Sequence, residues 1–369
     1  MNLALRELRR RPSRFGVATG VLTLIVVLLL FLGGLTDGLF VGSVGAIRSQ
    51  DADVFVTSST ARDSFLRSRI DPELRAAVEG VDGVERVGGL GFALLTARVE
   101  GASADSDPTD IALIGYELGG NDLPAPPEPG TAYIDERVGT DGVKVGDTLL
   151  IGSAATPVKV IGNVSNSNYL LQGSVWVEPS TWRDALAANR PDLQLAPGVF
   201  QTLVVSGAGD PAELARQIDA ATDGATSSLT KPEAELSLPG TEQQQSTFLQ
   251  IIGTTLAVAA LVTALFFSLL TLERTGLYGV LKALGSSSLQ LFTGVALQAL
   301  AVTAISLVIG GVLTLGLVAI APAEIPLLLT GGRVVFVAVG MFIASFLGSV
   351  VSLRRVVRID PASAIGGGT

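Results

Sequence analysis

Four uncharged apolar stretches, at residues 15–36, 248–272, 291–320 and 334–353, limit what this chain of 369 residues can become. The nineteen residues from Val17 to Leu35 carry no charge. At about 1.5 Å of rise per residue they extend about 29 Å, close to the hydrocarbon thickness of a bilayer. The first stretch continues through Gly33, Gly34 and Leu39 with no small-residue cleavage site, so it reads as a retained helix rather than a leader. One span, about two hundred residues of acidic sequence punctuated by Gly and Pro, and then three spans is the expected order.

Charge orients these spans. Arg6, Arg9, Arg10, Arg11 and Arg14 precede the first, Arg274 and Lys282 lie between the second and third, and Arg354, Arg355 and Arg358 follow the fourth, whereas only Arg48, Lys231 and Arg333 lie near the opposite ends. The positive-inside rule then puts both termini in the cytoplasm and the large domain outside the cell membrane. Residues 43–246 carry 14 Lys/Arg against 29 Asp/Glu, while the remainder carries 11 against 5, which together give the net −9 of the chain. An acidic outer domain argues against nucleic acid as a partner, since that calls for a basic stripe. The chain has no Cys and no His, so thiolate chemistry, Cys or His metal sites and a His-dependent triad are excluded, and no metal is expected.

The expected organisation is a basic amphipathic segment at 1–14, a first span with its stalk at 15–42 and an α+β outer domain at 43–230. A stalk or hinge at 231–247, a span at 248–272, a cytoplasmic helix at 273–288 and a span at 289–320 follow. An outer loop at 321–333, a span at 334–353 and a cytoplasmic tail at 354–369 complete it. Asn2 to Arg11 reads as a basic helix at the inner interface, equally as a solvated start that sets topology. In the outer domain the pattern predicts strands at 53–57, 86–99, 110–116, 133–136, 148–151, 158–164, 174–177 and 201–206. It predicts helices from Asp71-Pro72 through Val78 and over 211–221, a loop at 101–109 and an extended Pro-rich crossover at 123–130. The polar run 231–246 reads as a hinge.

The most specific segment is ERTGLYGVLKALG at 273–285. Leu277, Val280, Leu281 and Leu284 follow i, i+3, i+4, i+7, so a helix here has one apolar face with Lys282 on another side. Periodicity alone fits a helix that docks in a partner's groove and equally an interfacial helix that joins two spans.

This run resembles the signature of ABC transporter permeases of the MacB/FtsX type, R-x-x-x-x-x-x-L-[KR]-A-[LIM]-G after the second span. The resemblance covers the whole chain: the span order, Gly146-Asp147-Thr148 before a strand ending in Val160-Ile161-Gly162, and RIDPASAI at 358–365, which is similar to the family's R-x-x-P-x-x-A-[LI] tail. LALRELRRRPSRF at 3–15, FLGGLTDGL at 31–39 and Ser64-Phe65-x-x-Ser68 are similar to the DevC/HrtB group of exporters. The resemblance implies that 273–285 is a coupling helix against a separate cytoplasmic ATPase, through Glu273, Arg274, Leu277, Tyr278, Leu281, Lys282, Ala283, Leu284 and Gly285. Leu277 stands where many members carry an acidic residue. No G-x-x-x-x-G-K-[ST] occurs in the chain, so ATP is expected to act through a partner subunit, and four spans are few for a transporter, which argues for a homodimer with two ATPase chains.

Glycines recur at spacing four as Gly16 and Gly20 and as Gly34, Gly38 and Gly42, and Gly340, Ala344 and Gly348 offer a second small-residue face. Either suits a dimer seam or packing within one chain. Asp37, the only acidic residue in the apolar part of the first span, and Glu242, just before the second, are candidate substrate residues. The resemblance to HrtB-like members implies haem as a substrate and no covalently held cofactor. Without His, its ligands would come from Asp37, Glu242, Tyr169, Tyr278 and Met341, of which Tyr278 lies on the cytoplasmic side.

The function this implies is a non-enzymatic permease subunit that couples ATP hydrolysis in its partner to export of an amphipathic substrate, haem or lipid-like, from the membrane. The alternative is an FtsX-like protein that transmits movement to an outer partner without transport. A membrane-bound enzyme is the weakest reading, since no nucleophile, metal cluster or acid pair stands out.

Overall fold

The structure is a computed structural model, which describes residues 12–103, 107–120, 123–273, 275–322 and 325–357, with side chains for all of these except 12–14, 242 and 352–357. The basic segment at 2–11, part of the loop at 101–109, Arg274 and the tail from Arg358 lie outside the described residues. The chain divides into two compact units, one of residues 1–38 and 245–369, the other of 39–244.

The first unit is helical. It contains the apolar part of α1 (Pro12–Arg48), most of α7 (Thr241–Glu273), the short α8 (Thr275–Ala283), α9 (Ser288–Ile320) and α10 (Gly331–Val357). α1, α7, α9 and α10 are each long and apolar enough to cross a membrane. They pack through small residues, as expected where apolar burial alone cannot drive helices together. A Cβ on Gly310 of α9 would lie 2.6 Å from Val26 of α1, and Ser306 Oγ donates to Thr19 O at 3.1 Å. Thr303 Oγ1 donates to Ser345 Oγ at 2.6 Å, joining α9 to α10. The face Gly340, Ala344, Gly348 of α10 lies on α7, where a Cβ on Gly348 would come 2.5 Å from Ala260 O and one on Gly340 3.0 Å from Leu256. Phe15 and Phe266 meet edge to face across α1 and α7 at 6.1 Å.

The second unit is α+β, built on nine strands: β1 (Val54–Ser58), β2 (Val84–Val99), β3 (Thr109–Tyr116), β4 (Thr131–Asp135), β5 (Thr148–Ile151), β6 (Thr156–Val164), β7 (Gly173–Val177), β8 (Thr202–Gly207) and β9 (Thr226–Thr230). Their order is β3-β7-β4-β6-β5-β2-β8-β1-β9, and β3 also pairs with β2. The sixteen residues of β2 therefore serve two structures. Residues 90–99 close a six-stranded barrel with β3 and β5, while 84–90 pair with β8 in an open sheet. Closure removes the free edges that an open sheet would present.

The helices cover this framework. α2 (Pro72–Glu79) and α5 (Pro211–Ala221) start on Asp71 and Asp210, whose carboxylates accept from Leu74 and Ala212 N–H groups, with Pro at the first helical position. They place Val78, Leu214 and Ile218 against Val54, Val56, Leu203 and Val205. α3 (Glu136–Thr140) follows β4. α4 (Pro179–Asn189) lays Trp182 over Gly91 and Gly115, where a Cβ would meet the indole at 2.2 and 2.8 Å.

In this unit the strands and helices named from sequence pattern are present within two residues of their expected ends. Other elements differ from expectation. The pattern does not name α3, α4 or β9, and of the expected hinge residues 231–237 form α6 (Lys231–Ser237) and 241–247 the first turns of α7. Thr230 and Glu233 make a capping box, Ala234 and the following Leu238 are buried in the core, and Lys231 Nζ donates to Gln50 O at 2.6 Å. Burial lowers the Lys231 pKa from its ordinary value.

Candidate functional site

α7 ends at Glu273 and α8 begins at Thr275, whose hydroxyl donates to Leu272 O at 2.7 Å. α8 stops because its end is a Schellman turn. Ser286 N–H donates to Leu281 O and Gly285 N–H to Lys282 O, with Gly285 at φ +96°. Glycine is the residue that takes this left-handed position without strain. Ser287 and Gln290 then cap α9 reciprocally.

The four apolar residues at i, i+3, i+4, i+7 do not share one environment. Leu281 packs on the bundle core together with the buried Tyr278, which is 7% exposed. Leu277, Val280 and Leu284 remain 52%, 46% and 78% exposed. The helix thus anchors one side in its own bundle and leaves an apolar strip open on the other. Ala283 and Glu273 are also exposed and Lys282 is half-buried.

At the far end of α1, Asp37 is held rather than open. Arg333 donates to it through Nε at 3.2 Å and through a second, shorter bond from Nη2, and Thr330 Oγ1 donates at 3.0 Å. The backbone of the segment before α10 lies on the glycines of α1. Leu328 N–H donates to Gly34 O at 3.0 Å, and a Cβ on Gly38 would overlap Pro326 O at 1.8 Å. In the α+β unit Gly42 similarly meets Leu171, so Gly34, Gly38 and Gly42 admit loops, while Gly16 and Gly20 have nothing within 4 Å.

Of the other residues considered as ligands, Tyr169 and Met341 are sealed in the cores of their respective units. The Glu242 side chain lies outside the described residues. A groove of about 350 Å³ between α7 and α10, lined by Leu256, Ala260, Phe336, Gly340 and Leu347 among others, is apolar throughout. The small-residue face Gly340, Ala344 marks one wall of it in the sequence, but nothing pairs that wall with α7, some eighty residues away.

Residues 250–361 match the family described as FtsX-like permease C-terminal, which takes in most of α7 and all of α8, α9 and α10. The chain is 23% identical over 376 residues to a relative named for hemin transport, the permease protein HrtB of Staphylococcus epidermidis, with both chains covered completely. It is 27% identical over 372 residues to an uncharacterized ABC transporter permease of Mycobacterium tuberculosis, with 99% of each covered. Two solved structures are similar to parts of it: the extracellular domain of the noncanonic ABC-type transporter YknZ from Gram-positive bacteria, at 16% identity, TM-score 0.33, 48% of this chain and 98% of that one; and the periplasmic region of MacB from Actinobacillus actinomycetemcomitans, at 13%, TM-score 0.34, 50% and 92%. The chain thus carries an FtsX-like permease domain in its C-terminal part and is similar along its full length to ABC transporter permeases.

Proposed function

We propose that this chain is the membrane subunit of an ABC-type exporter, that α8 is the surface on which a separate cytoplasmic ATPase docks, and that the α+β unit lies outside the membrane. The observation that carries this reading is the open strip Leu277, Val280, Leu284 on a helix whose other side is anchored by Tyr278 and Leu281. A helix fixed on one side and apolar on the other fits a partner's groove, and a helix that merely joined two spans would have no need of the anchor. Two copies of the chain would pair with two ATPase chains, and both termini would lie in the cytoplasm with the ATPase.

The cargo is an amphipathic molecule taken from the membrane, with haem first and lipid-like compounds second. The name of the HrtB relative supports haem. The apolar groove between α7 and α10 supports any flat or chain-like apolar body, since it offers area and no polar partner. Asp37 and Glu242 remain the substrate carboxylates of this reading; at Asp37 a ligand would first have to displace Arg333. Among the described residues, the large apolar side chains exposed on the α+β unit are Val145, Ile161, Leu193 and Leu236, each from a different element. That pattern supports transport over docking of an outer protein on a broad apolar patch.

Titrating haemin into the complex of chain and ATPase in nanodiscs tests the cargo. Saturable stimulation of ATP hydrolysis with a bound-haem absorbance is expected; hydrolysis indifferent to haemin and no bound spectrum would remove haem and leave a lipid-like cargo to be tested the same way.

A further inference from the structure

The last turns of α1 are engaged by a loop of the same α+β unit. Ala46 N–H donates to Asn168 O at 2.9 Å, Leu171 N–H donates to Gly42 O at 3.0 Å, and Leu170 N–H donates to Ser43 O at 3.0 Å. Ala46 N–H and Gly42 C=O are the donor and acceptor of one i to i−4 rung of the helix. The loop therefore bonds to both groups of a rung inside a helix that runs unbroken to Arg48. Only glycine allows this approach, because a Cβ on Gly45 would lie 2.5 Å from Asn166 O and 2.8 Å from Asn168 N.

The loop is strained where it makes these contacts. Asn166, Leu170 and Leu171 have φ of 52°, 50° and 66°. Asn tolerates the left-handed region, but for leucine it is unfavourable. Asn168 Oδ1 and Gln172 Oε1, at the middle and just past the end of the loop, are buried without a hydrogen-bond partner. Unpaired buried acceptors raise the energy of the state that contains them. What opposes release is Tyr169, fully buried and stacked on Phe92 at 4.6 Å, and buried Ser167, whose N–H and Oγ both donate to Asp135 Oδ2 at 2.8 Å.

We propose that residues 166–171 form a releasable strap on α1, with a second state in which the loop has lifted from Gly42–Ala46 and the backbone groups of this turn are served by the helix alone. Release leaves no helical backbone group without a partner, relieves two left-handed leucines and frees the two unpaired acceptors. Withdrawal of Tyr169 and Ser167, or pivoting about them, sets the cost. Small changes at either the helix or the loop can therefore shift the balance between the states.

Hydrogen exchange on the full chain in nanodiscs tests this. The strap amides at 168–172 are expected to exchange on the order of a hundredfold faster than those of β8, while the amides at 42–48 stay protected as helix. Gly45→Ala, which clashes with the strap and favours helix, should raise strap exchange by a further factor of about ten with β8 unchanged. Because the chain has no Cys, a disulfide between Ser43→Cys and Leu170→Cys can be made alone, and it should slow the strap to the β8 rate until it is reduced. Strap amides that exchange at the β8 rate in the unmodified chain, or that lose protection only together with 42–48, would overturn the proposal. Should Gly45→Ala unfold β8 as well, the comparison of unmodified and disulfide-closed chains still decides.

Discussion

A Cβ on Gly38 would lie 1.8 Å from the carbonyl oxygen of Pro326, so the segment before α10 rests directly on the backbone of α1. Backbone cannot yield as the tip of a side chain can. Gly38→Ala must displace that segment and is expected to destabilise the helical unit by about 1–3 kcal/mol, the usual cost of overpacking. Gly16→Ala, on a part of the same helix with nothing within 4 Å, should be neutral or stabilise by up to about 1 kcal/mol through helix propensity. Thermal unfolding of the two variants in one detergent separates them; equal midpoints would contradict this packing.

The pair Asp37–Arg333 joins α1 to α10 across 296 residues of sequence, with side chains only 19% and 16% exposed. Removing one partner leaves the other partly buried and uncompensated. Asp37→Asn and Arg333→Gln are each expected to cost about 1–3 kcal/mol, and the double variant less than their sum by about 0.5–3 kcal/mol. Strict additivity in a double-mutant cycle would mean that the contact carries no coupling.

Tyr116 donates its hydroxyl to Pro124 O and Ala125 O at 3.0 and 3.2 Å, and burial, with Tyr133 nearby, pushes its pKa well above the ordinary phenol value. A folded pKa above the unfolded one makes its contribution to stability complete below about pH 10 and progressively lost above it. The buried Tyr169 adds in the same direction. Tyr116→Phe should lower stability by about 1 kcal/mol at neutral pH and flatten the alkaline decline of the α+β unit. An unchanged slope above pH 10 would show that this phenol ionises in the folded state.

Elements whose own residues carry the period were legible in the sequence. Asp71-Pro72 and Asp210-Pro211 announce α2 and α5 because the cap and the fixed φ act locally, and the four apolar stretches needed only a count. β9 was not legible: Thr-Ser-Ser-Leu-Thr has no apolar alternation and is a strand because β1 offers it an edge. α6 is too short and polar to show a period and depends on its capping box and on Ala234. α4 did leave a signal, Trp182, Ala185 and Leu186 at i, i+3, i+4 after a proline, that reading for strands passed over. Barrel closure rests on parallel pairing of β3 with β7 and of β4 with β6, contacts between segments that no local pattern links. At α8 the periodicity found an amphipathic helix and could not tell which of its leucines the bundle itself would bury.

Gly285 ends α8 at φ +96°, and a Cβ there would meet no described atom within 4 Å, so the obstacle to substitution is conformational. Gly285→Ala is expected to cost about 1–2 kcal/mol in the turn between α8 and α9. Gly285→Asn should cost less, since Asn enters the left-handed region more readily. The order Gly, Asn, Ala in thermal stability checks it, and Ala at or above Asn would contradict the turn geometry.

The docking claim at α8 is tested most directly by copurification of a P-loop ATPase with the chain from its native membrane, comparing the unmodified protein with Leu284→Asp. Leu284 is 78% exposed, so its side chain is not part of the core of the described residues. Loss of the ATPase and of ATP hydrolysis, with membrane insertion and thermal stability unchanged, is the predicted result. An undisturbed complex carrying Asp at 284 would contradict the assignment of this helix as the coupling surface.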